Sequence, residues 1–277
     1  MAQETVIRLS FFFGVFAIIA LWEVVAPRRT LTTSKAGRWA TNFGIIILNP
    51  IVVYLVFPVL AVDMAVMAEA NGWGLLNNVN YPYWATVVAS VVALDFIIYL
   101  QHVMFHAVPV LWRLHMVHHA DLDFDVTTGL RFHPIEIILS MGIKLAAVVV
   151  IGPSVLALLI FEILLNGTAM FNHSNIRLPL AIDRVLRWVV VTPDMHRVHH
   201  SIYPRETNSN FGFNLPWWDR LMGTYRAQPT DGHLGMTIGL RQYREAKGLT
   251  LTKLLVLPFI GKIGSYAIGR RGAKSDS

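Results

Sequence analysis

Residues 83–119 read YWATVVASVVALDFIIYLQHVMFHAVPVLWRLHMVHH and combine a long apolar run with clustered histidines. The first part of this stretch, about Tyr83 to Phe105, is a nearly unbroken apolar run, and a helix of that length crosses the roughly 30 Å of a bilayer's hydrocarbon. The last turns of this helix carry His102 and His106, and an HxxHH triplet follows at 115–119. The stretch therefore predicts a spanning helix that delivers imidazoles to one side of a membrane.

A second HxxHH triplet, at 196–200, nearly repeats the first. Side chains at positions i, i+3 and i+4 share one face of a helix, so each triplet can present three imidazoles to one site. The HxxxH pair at 102 and 106 has the same property. Eight of the eleven histidines fall into these three clusters, and their spacing is typical of metal ligands.

The composition is that of an integral membrane protein. Of 277 residues, 55% are hydrophobic and 14% are charged, against about 25% charged in soluble domains. The chain has no cysteine, which excludes disulfides, thiolate ligands and thiol catalysis. The net charge of +6 lies in no basic stripe with interleaved aromatic residues, so no nucleic-acid partner is expected. In a membrane protein such Lys and Arg residues mark the cytoplasmic side.

Hydropathy and charge predict the same topology. Two apolar runs, at about 6–26 and 43–62, precede the run described above, and the loop 28–38 between them carries four basic residues and no acid. Short loops rich in Lys and Arg stay in the cytoplasm. Of 23 Lys and Arg residues, only Arg8 and Lys144 fall outside the segments that this topology places in the cytoplasm.

Residues 135–171 form a long apolar stretch that Gly152-Pro153 divides, which predicts a helical hairpin. Each arm is at the short end for spanning, and Lys144 in the first arm indicates either a snorkelling lysine or a shallow arm. We therefore expect an all-α integral membrane protein. It would be a bundle of about four to five transmembrane or hairpin helices with a helical, His-rich cytoplasmic cap.

The topology places nine histidines at or just beyond the cytoplasmic ends of the spans. They are His102, His106, His115, His118, His119, His173, His196, His199 and His200. Unpaired imidazoles in apolar surroundings would be costly, so we expect a metal partner. A zinc ion takes three or four protein ligands, so this larger set predicts a two-metal site. An imidazole-rich set without thiolates suits iron, zinc, copper or nickel, and the ligand types leave that choice open.

The order of the motifs resembles the fatty acid hydroxylase superfamily, also called the sterol desaturase family, of integral-membrane di-iron oxygenases. The resemblance covers about Asp95 to Tyr225, nearly half the chain, and its last motifs look like those of bacterial members. The matching motifs are DF at 95–96, HxxxH at 102–106, LWRLHxxHH at 111–119, RFHPxE at 131–136, FNHSN at 171–175, TPxxHxxHH at 192–200, NSNFG at 208–212 and WDRLMGTY at 218–225.

This resemblance implies two iron ions held by the clustered histidines, with O2 as co-substrate. The target would be a C–H bond of a lipid taken from the bilayer, a fatty acyl, sterol-like or other isoprenoid lipid, which is hydroxylated or desaturated. It also implies an external electron-donor protein, because the chain has no Gly-rich dinucleotide fingerprint and no haem-binding domain. A bacterial-type member would be a multi-pass protein of the cytoplasmic membrane, with the metal site and the C-terminus on the cytoplasmic side.

On this interpretation the chain has three parts. Residues 1–82 hold the N-terminal membrane helices and their loops, 83–226 form the di-metal catalytic region, and 227–277 form a C-terminal cytoplasmic tail. Within that tail, residues 249–263 are apolar enough to rest on the membrane surface. A helix packed into the cap is an equal expectation.

One departure from the family pattern concerns the third histidine cluster. Some relatives carry HxxxH there, whereas in this chain Ala169 stands four residues before His173. The metals would then be one imidazole short in that region. We predict His133 of the RFHPxE element as the tenth ligand, with a supporting structural role as the alternative.

Ligating histidines usually donate their other ring N–H to a carboxylate or a carbonyl. We predict three acids for that role: Asp95, two helical turns before His102 on roughly the same face, Glu136 and Asp194. For Asp95, a hydrogen bond between helices is an equal alternative, since a buried acid in a span needs a polar partner. For Glu136 and Asp194, the alternative is a solvated acid in a loop.

Two other classes of protein would use the same ligand types. A zinc-dependent membrane lipid hydrolase should carry an acid beside the metal helix, as in HExxH, and no such motif occurs. A metal transporter or storage protein is the non-enzymatic alternative, but transporter sites lie near the midplane of the bilayer. These histidines cluster at one edge, which favours the oxygenase.

Overall fold

The computed structural model describes residues 2–268, and these residues form helices joined by loops. They contain no β-strand beyond two isolated bridges, Pro27–Ile176 and Ser201–Ile238. The helices are α1 Ala2–Val25, α2 Lys35–Val56, α3 Ala61–Ala70, α4 Tyr83–Ala107, α5 Pro109–His119, α6 Pro134–Ile151, α7 Val155–Asn172, α8 Leu180–Leu186, α9 Pro193–His199, α10 Pro204–Thr207, α11 Trp217–Leu221, α12 Gly232–Gly235 and α13 Leu251–Ile260. The all-α prediction is confirmed.

Five helical segments of the described chain are long and apolar enough to cross a membrane. They are Glu4–Val25, Lys35–Asn78, Tyr83–Ala107, Pro134–Ile151 and Val155–Asn172. The second of these joins α2, α3 and a 3₁₀ turn into one apolar segment. The predicted bundle of spanning and hairpin helices is therefore confirmed.

The hairpin predicted over 135–171 is the pair α6 and α7, each of 18 residues. At 1.5 Å per residue, each helix rises about 27 Å, close to the thickness of the hydrocarbon. Gly152 ends α6 with φ of +69°, a left-handed conformation that favours glycine. A Cβ atom at this position would lie 2.8 Å from the backbone oxygen of Trp73, so the connection 71–82 can pack closely on this turn.

A buried acid accounts for both basic residues that the predicted topology left outside the cytoplasmic segments. Glu162 of α7 is buried, and its Oε1 lies 2.9 Å from Nζ of Lys144 on α6. Its Oε2 lies 3.2 Å from Nη1 of Arg8 on α1. Lys144 is therefore paired within the bundle, and the three charges tie α1, α6 and α7 together.

The loop between α5 and α6 is held by aspartates at alternate positions. Arg38 on α2 forms a two-pronged pair with Asp121, at 2.7 and 2.8 Å, and also donates to Asp125 at 2.6 Å. Asp123 accepts hydrogen bonds from the backbone and hydroxyl groups of Thr32 and Thr33. All three acids are buried, so the loop that follows the first HxxHH triplet is fixed against the N-terminal helices.

The region predicted as a C-terminal tail contributes to the core beside α5, up to the last described residue. Leu254 and Leu257 of α13 are buried with Trp112, Met116 and other side chains of α5. The opposite face of α13 leaves Phe259 and Ile260 exposed, at 64% and 78%. Residues 269–277 of the predicted tail lie outside the described residues. The helix 251–260 thus packs into the cap on one side and presents an apolar surface on the other.

Candidate metal centre

Four elements bring histidines to the same end of the bundle. The last turns of α4 carry His102 and His106, and α5 carries the first triplet after a sharp turn, because Pro109 starts a new helix two residues after α4 ends. His173 follows the last residue of α7. The second triplet lies on α9, which begins at Pro193 and is capped by Thr192, whose hydroxyl accepts a hydrogen bond from the Met195 amide.

Nine of the ten histidines predicted as ligands meet in two adjacent groups. Within each group, one ligand atom from every residue lies within 4.8 Å of the others, and all nine side chains are buried. The first group has five members: His102, His106, His115, His119 and His199. The second group has four: His118, His173, His196 and His200. The structure thus has two centres of converging imidazoles, each with enough ligands for one ion.

Each HxxHH triplet is divided between the two groups. On α5, the first and last histidines of the triplet belong to the first group and His118 belongs to the second. On α9, the assignment is reversed, so that only His199 belongs to the first group. Residues i and i+4 are about 40° apart around a helix and residue i+3 lies about 60° to the other side. Each triplet can therefore reach two ions at once, and the two helices face one another across the site.

Oxygen acceptors orient four of the five rings in the first group through Nδ1. The pairs are His102 with the Phe211 carbonyl at 2.8 Å, His106 with Asn208 Oδ1 at 3.0 Å, His115 with Glu136 Oε1 at 2.6 Å and His199 with the Ser209 carbonyl at 2.8 Å. In the second group, His173 donates from Nδ1 to the Ala169 carbonyl at 2.7 Å. A carbonyl oxygen can only accept, so the four rings bonded to carbonyl oxygens carry their proton on Nδ1 and present a lone pair at Nε2. These rings are His102, His106, His199 and His173.

The Nε2 atoms of these and neighbouring rings converge. Nε2 of His102 lies 3.1 Å from Nε2 of His115, and His102 donates from Nδ1 to a carbonyl. Nε2 of His173 lies 3.1 Å from Nε2 of His118 and 3.0 Å from Nε2 of His196. At such distances the lone pair of one ring faces either the N–H of the next ring or a metal ion that both rings bind. The donor set therefore fits a pair of metal ions, with the second ring nitrogen of most ligands held as metal-binding histidines require.

The environment keeps these rings neutral, which is the form that binds metal. Burial lowers the pKa of His115 to about 3 and that of His173 to about 3. Burial, followed by repulsion from neighbouring imidazoles, holds the pKa of other members well below the usual range. These are His118, His119, His196, His199 and His200.

The two groups differ in how well their rings are supported. In the second group, the Nδ1 atoms of His118, His196 and His200 are buried and meet no hydrogen-bond partner among residues 2–268. Only His173 is oriented by a protein oxygen there. This is also the region where Ala169 stands in place of a further imidazole. The first group thus has more ligands and a firmer hydrogen-bonded frame than the second.

Phenylalanine rings cover the histidines. Phe132 stacks on His118, with ring centroids 4.4 Å apart and planes at 12°. Phe211 packs edge-on to His102 at 5.4 Å, Phe213 lies 5.3 Å from the same ring, and Phe124 lies 5.0 Å from His200. These side chains make the surroundings of both groups apolar and limit the access of water.

His133, predicted as the tenth ligand, does not join either group. Its Nδ1 accepts a hydrogen bond from the Ile135 amide at 3.2 Å, and its Nε2 donates to the Leu255 carbonyl at 3.1 Å. Both ring nitrogens are therefore engaged by backbone groups. The residue caps the start of α6 and ties it to α13, which is the supporting structural role that the sequence left as the alternative.

The three predicted orienting acids have different positions. Glu136 contacts a ligand directly, at 2.6 Å from Nδ1 of His115. Asp95 instead accepts from the Leu215 amide at 3.2 Å and from Trp218 Nε1 at 2.8 Å. Asp194 pairs with Arg28 at 3.0 Å and with Arg197. Asp95 and Asp194 therefore hold the segments that carry ligands and their acceptors, and no hydrogen bond or ion pair of the described residues joins either acid to one of the nine histidines.

The motif at 208–212 was predicted only as part of the family pattern, with no orienting role, yet its residues 208–211 supply three of the acceptors for the first group. This NSNFG motif carries Asn208 and the carbonyls of Ser209 and Phe211. Asp219 fixes this segment by accepting from the Phe211 amide at 2.8 Å. The signal was present in the motif, but backbone carbonyls leave no trace in residue type, so only the fold reveals their role.

Comparison with known proteins gives a family match over the same region. The family model described as fatty acid hydroxylase matches residues 87–224. The chain is 28% identical over 194 residues to an ornithine lipid hydroxylase of Rhizobium tropici and 32% identical over 161 residues to an alkylglycerol monooxygenase of Xenopus tropicalis. It is 26% identical over 155 residues to a very-long-chain aldehyde decarbonylase of Oryza sativa subsp. indica.

These alignments cover 69%, 57% and 54% of this chain, respectively. They cover 56%, 33% and 57% of the three relatives, so the chain spans less than two thirds of each relative's length. No solved structure matches the chain.

Proposed function

Because the chain belongs to the fatty acid hydroxylase superfamily through residues 87–224, we propose that it is a membrane di-iron oxygenase that hydroxylates a C–H bond of a lipid. The observation that supports the proposal is the presence of two buried groups of histidines, one of five residues and one of four. Neither group contains a carboxylate or a thiolate. The HExxH motif of zinc hydrolases, whose glutamate acts as a base beside the metal, does not occur in the chain, and Glu136 is hydrogen-bonded to His115.

The nine histidines would hold the two ions, and the acceptors on Nδ1 would fix the direction of each ring. When bound, the two irons would supply the activation of O2 and the oxidation of an unactivated C–H bond. The protein's own part is to keep the ligands neutral, hold the target carbon beside the ions and exclude water. Phe132, Phe211 and Phe213 would form the dry surroundings that this requires.

A lipid is the proposed substrate class. Two of the relatives are named as acting on ornithine lipid and on alkylglycerol, and the histidines lie at the ends of helices able to cross a membrane. The substrate would enter from the bilayer. The basic loop 28–38 supports a cytoplasmic location for the metal end, by the distribution of positive charge in membrane proteins.

The overall reaction balances with an external reductant. One C–H bond is broken, one oxygen atom enters the lipid as a hydroxyl group, and the other leaves as water. Two electrons and two protons are consumed, and we propose a separate electron-transfer protein as their source. Removal of a second hydrogen in place of hydroxyl transfer would give desaturation, and the product analysis below distinguishes these outcomes.

The test is to express the chain in a host that lacks it and compare the lipid extracts by mass spectrometry. We expect lipids heavier by one oxygen atom, and purified protein with about two irons per chain. His199→Ala, which removes a buried member of the first group, should lose the product and roughly one of the two irons. His233→Gln is the matched control, because His233 is buried but lies outside both groups.

Stoichiometric zinc in protein from iron-replete cells, together with cleaved lipids, would contradict the proposal. Lipids lighter by two hydrogens would keep the oxygenase class and replace hydroxylation by desaturation. Metal-loaded protein with no change in any lipid class would favour a metal-binding protein without this activity.

A further inference from the structure

A second polar site lies at the end of α1, outside the two histidine groups. It is a cleft of about 290 Å³. Its charged walls come from Glu23 at the end of α1, Arg29 in the following loop and Lys35 at the start of α2, while Val24 and Leu31 provide apolar surface. Charged groups that face a cleft at a membrane-spanning helix end are candidates for ligand binding.

Glu23 offers this cleft an unused acceptor. Its side chain is 5% exposed. Oε1 accepts from the amides of Val126 at 2.8 Å and Asn175 at 2.7 Å. Oε2 is buried and accepts no hydrogen bond from any group in residues 2–268, and its nearest cation is Nζ of Lys35 at 4.0 Å. Leaving a buried carboxylate oxygen without a donor is expensive, so a ligand donor is a favourable partner.

Arg29 offers the same cleft an unused donor. Its Nη1 donates to the Met236 carbonyl at 2.8 Å, and its backbone is held on both sides by Asn175. Its Nε is buried and meets no acceptor within the described part of the chain. Lys35 adds a second positive charge that is partly exposed, with Nζ 4.6 Å from the centre of the Trp39 ring. The position of Arg29 is therefore fixed while part of its hydrogen-bonding capacity stays unused.

The fourth charged residue of the cleft is already satisfied. Asp125 accepts from Arg38 at 2.6 Å, from Trp39 at 3.1 Å and from Thr127 at 2.6 Å. The free hydrogen-bonding capacity of the cleft is thus one carboxyl oxygen, Oε2 of Glu23, beside two positively charged donors, Arg29 and Lys35. A ligand that matches it carries an ammonium N–H close to a phosphate or a carboxylate.

We propose that this cleft binds the headgroup of a zwitterionic lipid, with the ammonium on Glu23 Oε2 and the anionic group on Arg29 and Lys35. Val24 lines the cleft, and Leu21, Val24 and Val25 at this end of α1 are 65% to 75% exposed, so acyl chains can lie along this helix. Asn175, which lines the cleft, follows His173 by two residues. The further role of the cleft as a substrate headgroup site rests on the proposed function, whereas binding itself does not.

The test measures lipid retention by the purified full-length protein. Detergent micelles contain equal amounts of phosphatidylethanolamine, phosphatidylcholine and phosphatidylglycerol with identical acyl chains, and bound lipid is counted by native mass spectrometry. Phosphatidylcholine has no ammonium N–H, and phosphatidylglycerol has no cation. We expect about tenfold preference for phosphatidylethanolamine over phosphatidylcholine, the ratio that corresponds to one charge-assisted hydrogen bond.

Glu23→Gln should abolish that preference, because it keeps the Oε1 acceptor for the two amides and removes the charge. The matched control is Glu69→Gln, an exposed glutamate on α3, which should keep the preference. Lys35→Gln changes a partly exposed side chain and should reduce retention of both phosphatidylethanolamine and phosphatidylcholine by a similar factor. This variant tests the site even if Glu23→Gln does not fold.

Equal retention of the three lipids by the wild type, or equal loss in the Glu23 and Glu69 variants, would overturn the inference. Displacement by soluble phosphoethanolamine at the same concentration as the lipid would overturn the assignment to a lipid. Retention is measured without O2 turnover. A wild type that forms the hydroxylated product yet shows no lipid preference would therefore reject this cleft and leave the proposed function intact.

Discussion

His118 and His119 are adjacent in the chain, yet their rings lie at 87° to one another, with centroids 5.3 Å apart, and belong to different ligand groups. Two consecutive residues of one helix turn point about 100° apart. His119 thus belongs to the group of five and His118 to the group of four. The same relationship, inverted, holds for His199 and His200.

This division predicts how metal content responds to paired substitutions. His118→Ala and His119→Ala should each lose roughly one iron per chain, and the double variant should lose nearly both, because the two ions have separate ligand sets. The double variant His115→Ala/His119→Ala removes two ligands from the same group and should keep roughly one iron. The measurement is the iron content of each purified variant by elemental analysis. Equal loss of iron in the two double variants would contradict the division of the ligands into two groups.

The unequal support of the two groups predicts two phases of metal release. With an excess of chelator, the ion of the second group should leave first, since three of its four rings have no orienting partner among the described residues. Orienting partners typically change metal affinity by about 10–100-fold. Samples taken at successive times, freed of chelator and measured by elemental analysis, should therefore show two phases of iron loss, one fast and one slow. Each phase should account for one iron per chain.

Glu136→Gln identifies the phases. It weakens the acceptor on Nδ1 of His115, a member of the first group, so it should accelerate the slow phase and leave the fast phase unchanged. A single phase in the wild type, or acceleration of the fast phase alone, would mean that the hydrogen-bonded frame does not determine the order of release.

The position of His133 predicts that it is dispensable for metal binding. His133→Gln should retain the wild-type iron content and lose stability by about 1 kcal/mol, the usual cost of a helix cap. Iron content and the thermal unfolding midpoint in detergent measure the two effects separately. Loss of iron from a folded variant would restore His133 as a ligand.

The buried Glu162 predicts a strong charge dependence of the bundle. Glu162→Gln leaves Lys144 and Arg8 without their anion and should destabilise the fold by about 3–5 kcal/mol, as expected when one partner of a buried pair is removed. Removing a cation as well, in Glu162→Gln/Lys144→Met, should recover part of this loss. Unfolding midpoints in one detergent give the comparison, and equal midpoints for both variants would show that the pairing carries little energy.

His233 predicts a dependence of stability on pH that is separable from that of the ligands. Burial lowers the pKa of His233 to about 4, from an ordinary value of 6.5. Between these values the unfolded state binds a proton that the folded state excludes, so stability is full above pH 6.5 and falls as the pH decreases towards 4. At about 1.4 kcal/mol per pKa unit, the contribution is at most roughly 3 kcal/mol.

The measurement compares metal-loaded wild type with His233→Gln, which cannot titrate. Between pH 7 and pH 4.5, the thermal unfolding midpoint should decrease more for the wild type than for the variant. Parallel decreases in both proteins would assign the acid sensitivity to other groups.

Several of these features could be predicted from the local pattern of the sequence, and others could not. The apolar run 83–105 and the spacing of the triplets predicted spanning helices and clustered imidazoles, because hydropathy and the 3.6-residue repeat act within one segment. Glu136 was predicted to orient a ligand and does contact His115. His133, in the same RFHPxE motif, was predicted as a ligand, but its side chain bonds to the backbone of α6 and α13. That contact depends on a helix more than a hundred residues later in the chain.

Length, hydropathy and periodicity are local properties, so they were enough to predict the membrane class, the helices and the nine histidines at one end. The division of those histidines into groups of five and four could not be predicted from them. That division depends on the packing of α4, α5, α7 and α9, and on acceptors from residues 208–211 that reach their rings across about a hundred residues of chain. The near-identical triplets at 115–119 and 196–200 are thus neither two separate sites nor two equal halves, because each contributes to both groups in inverted order.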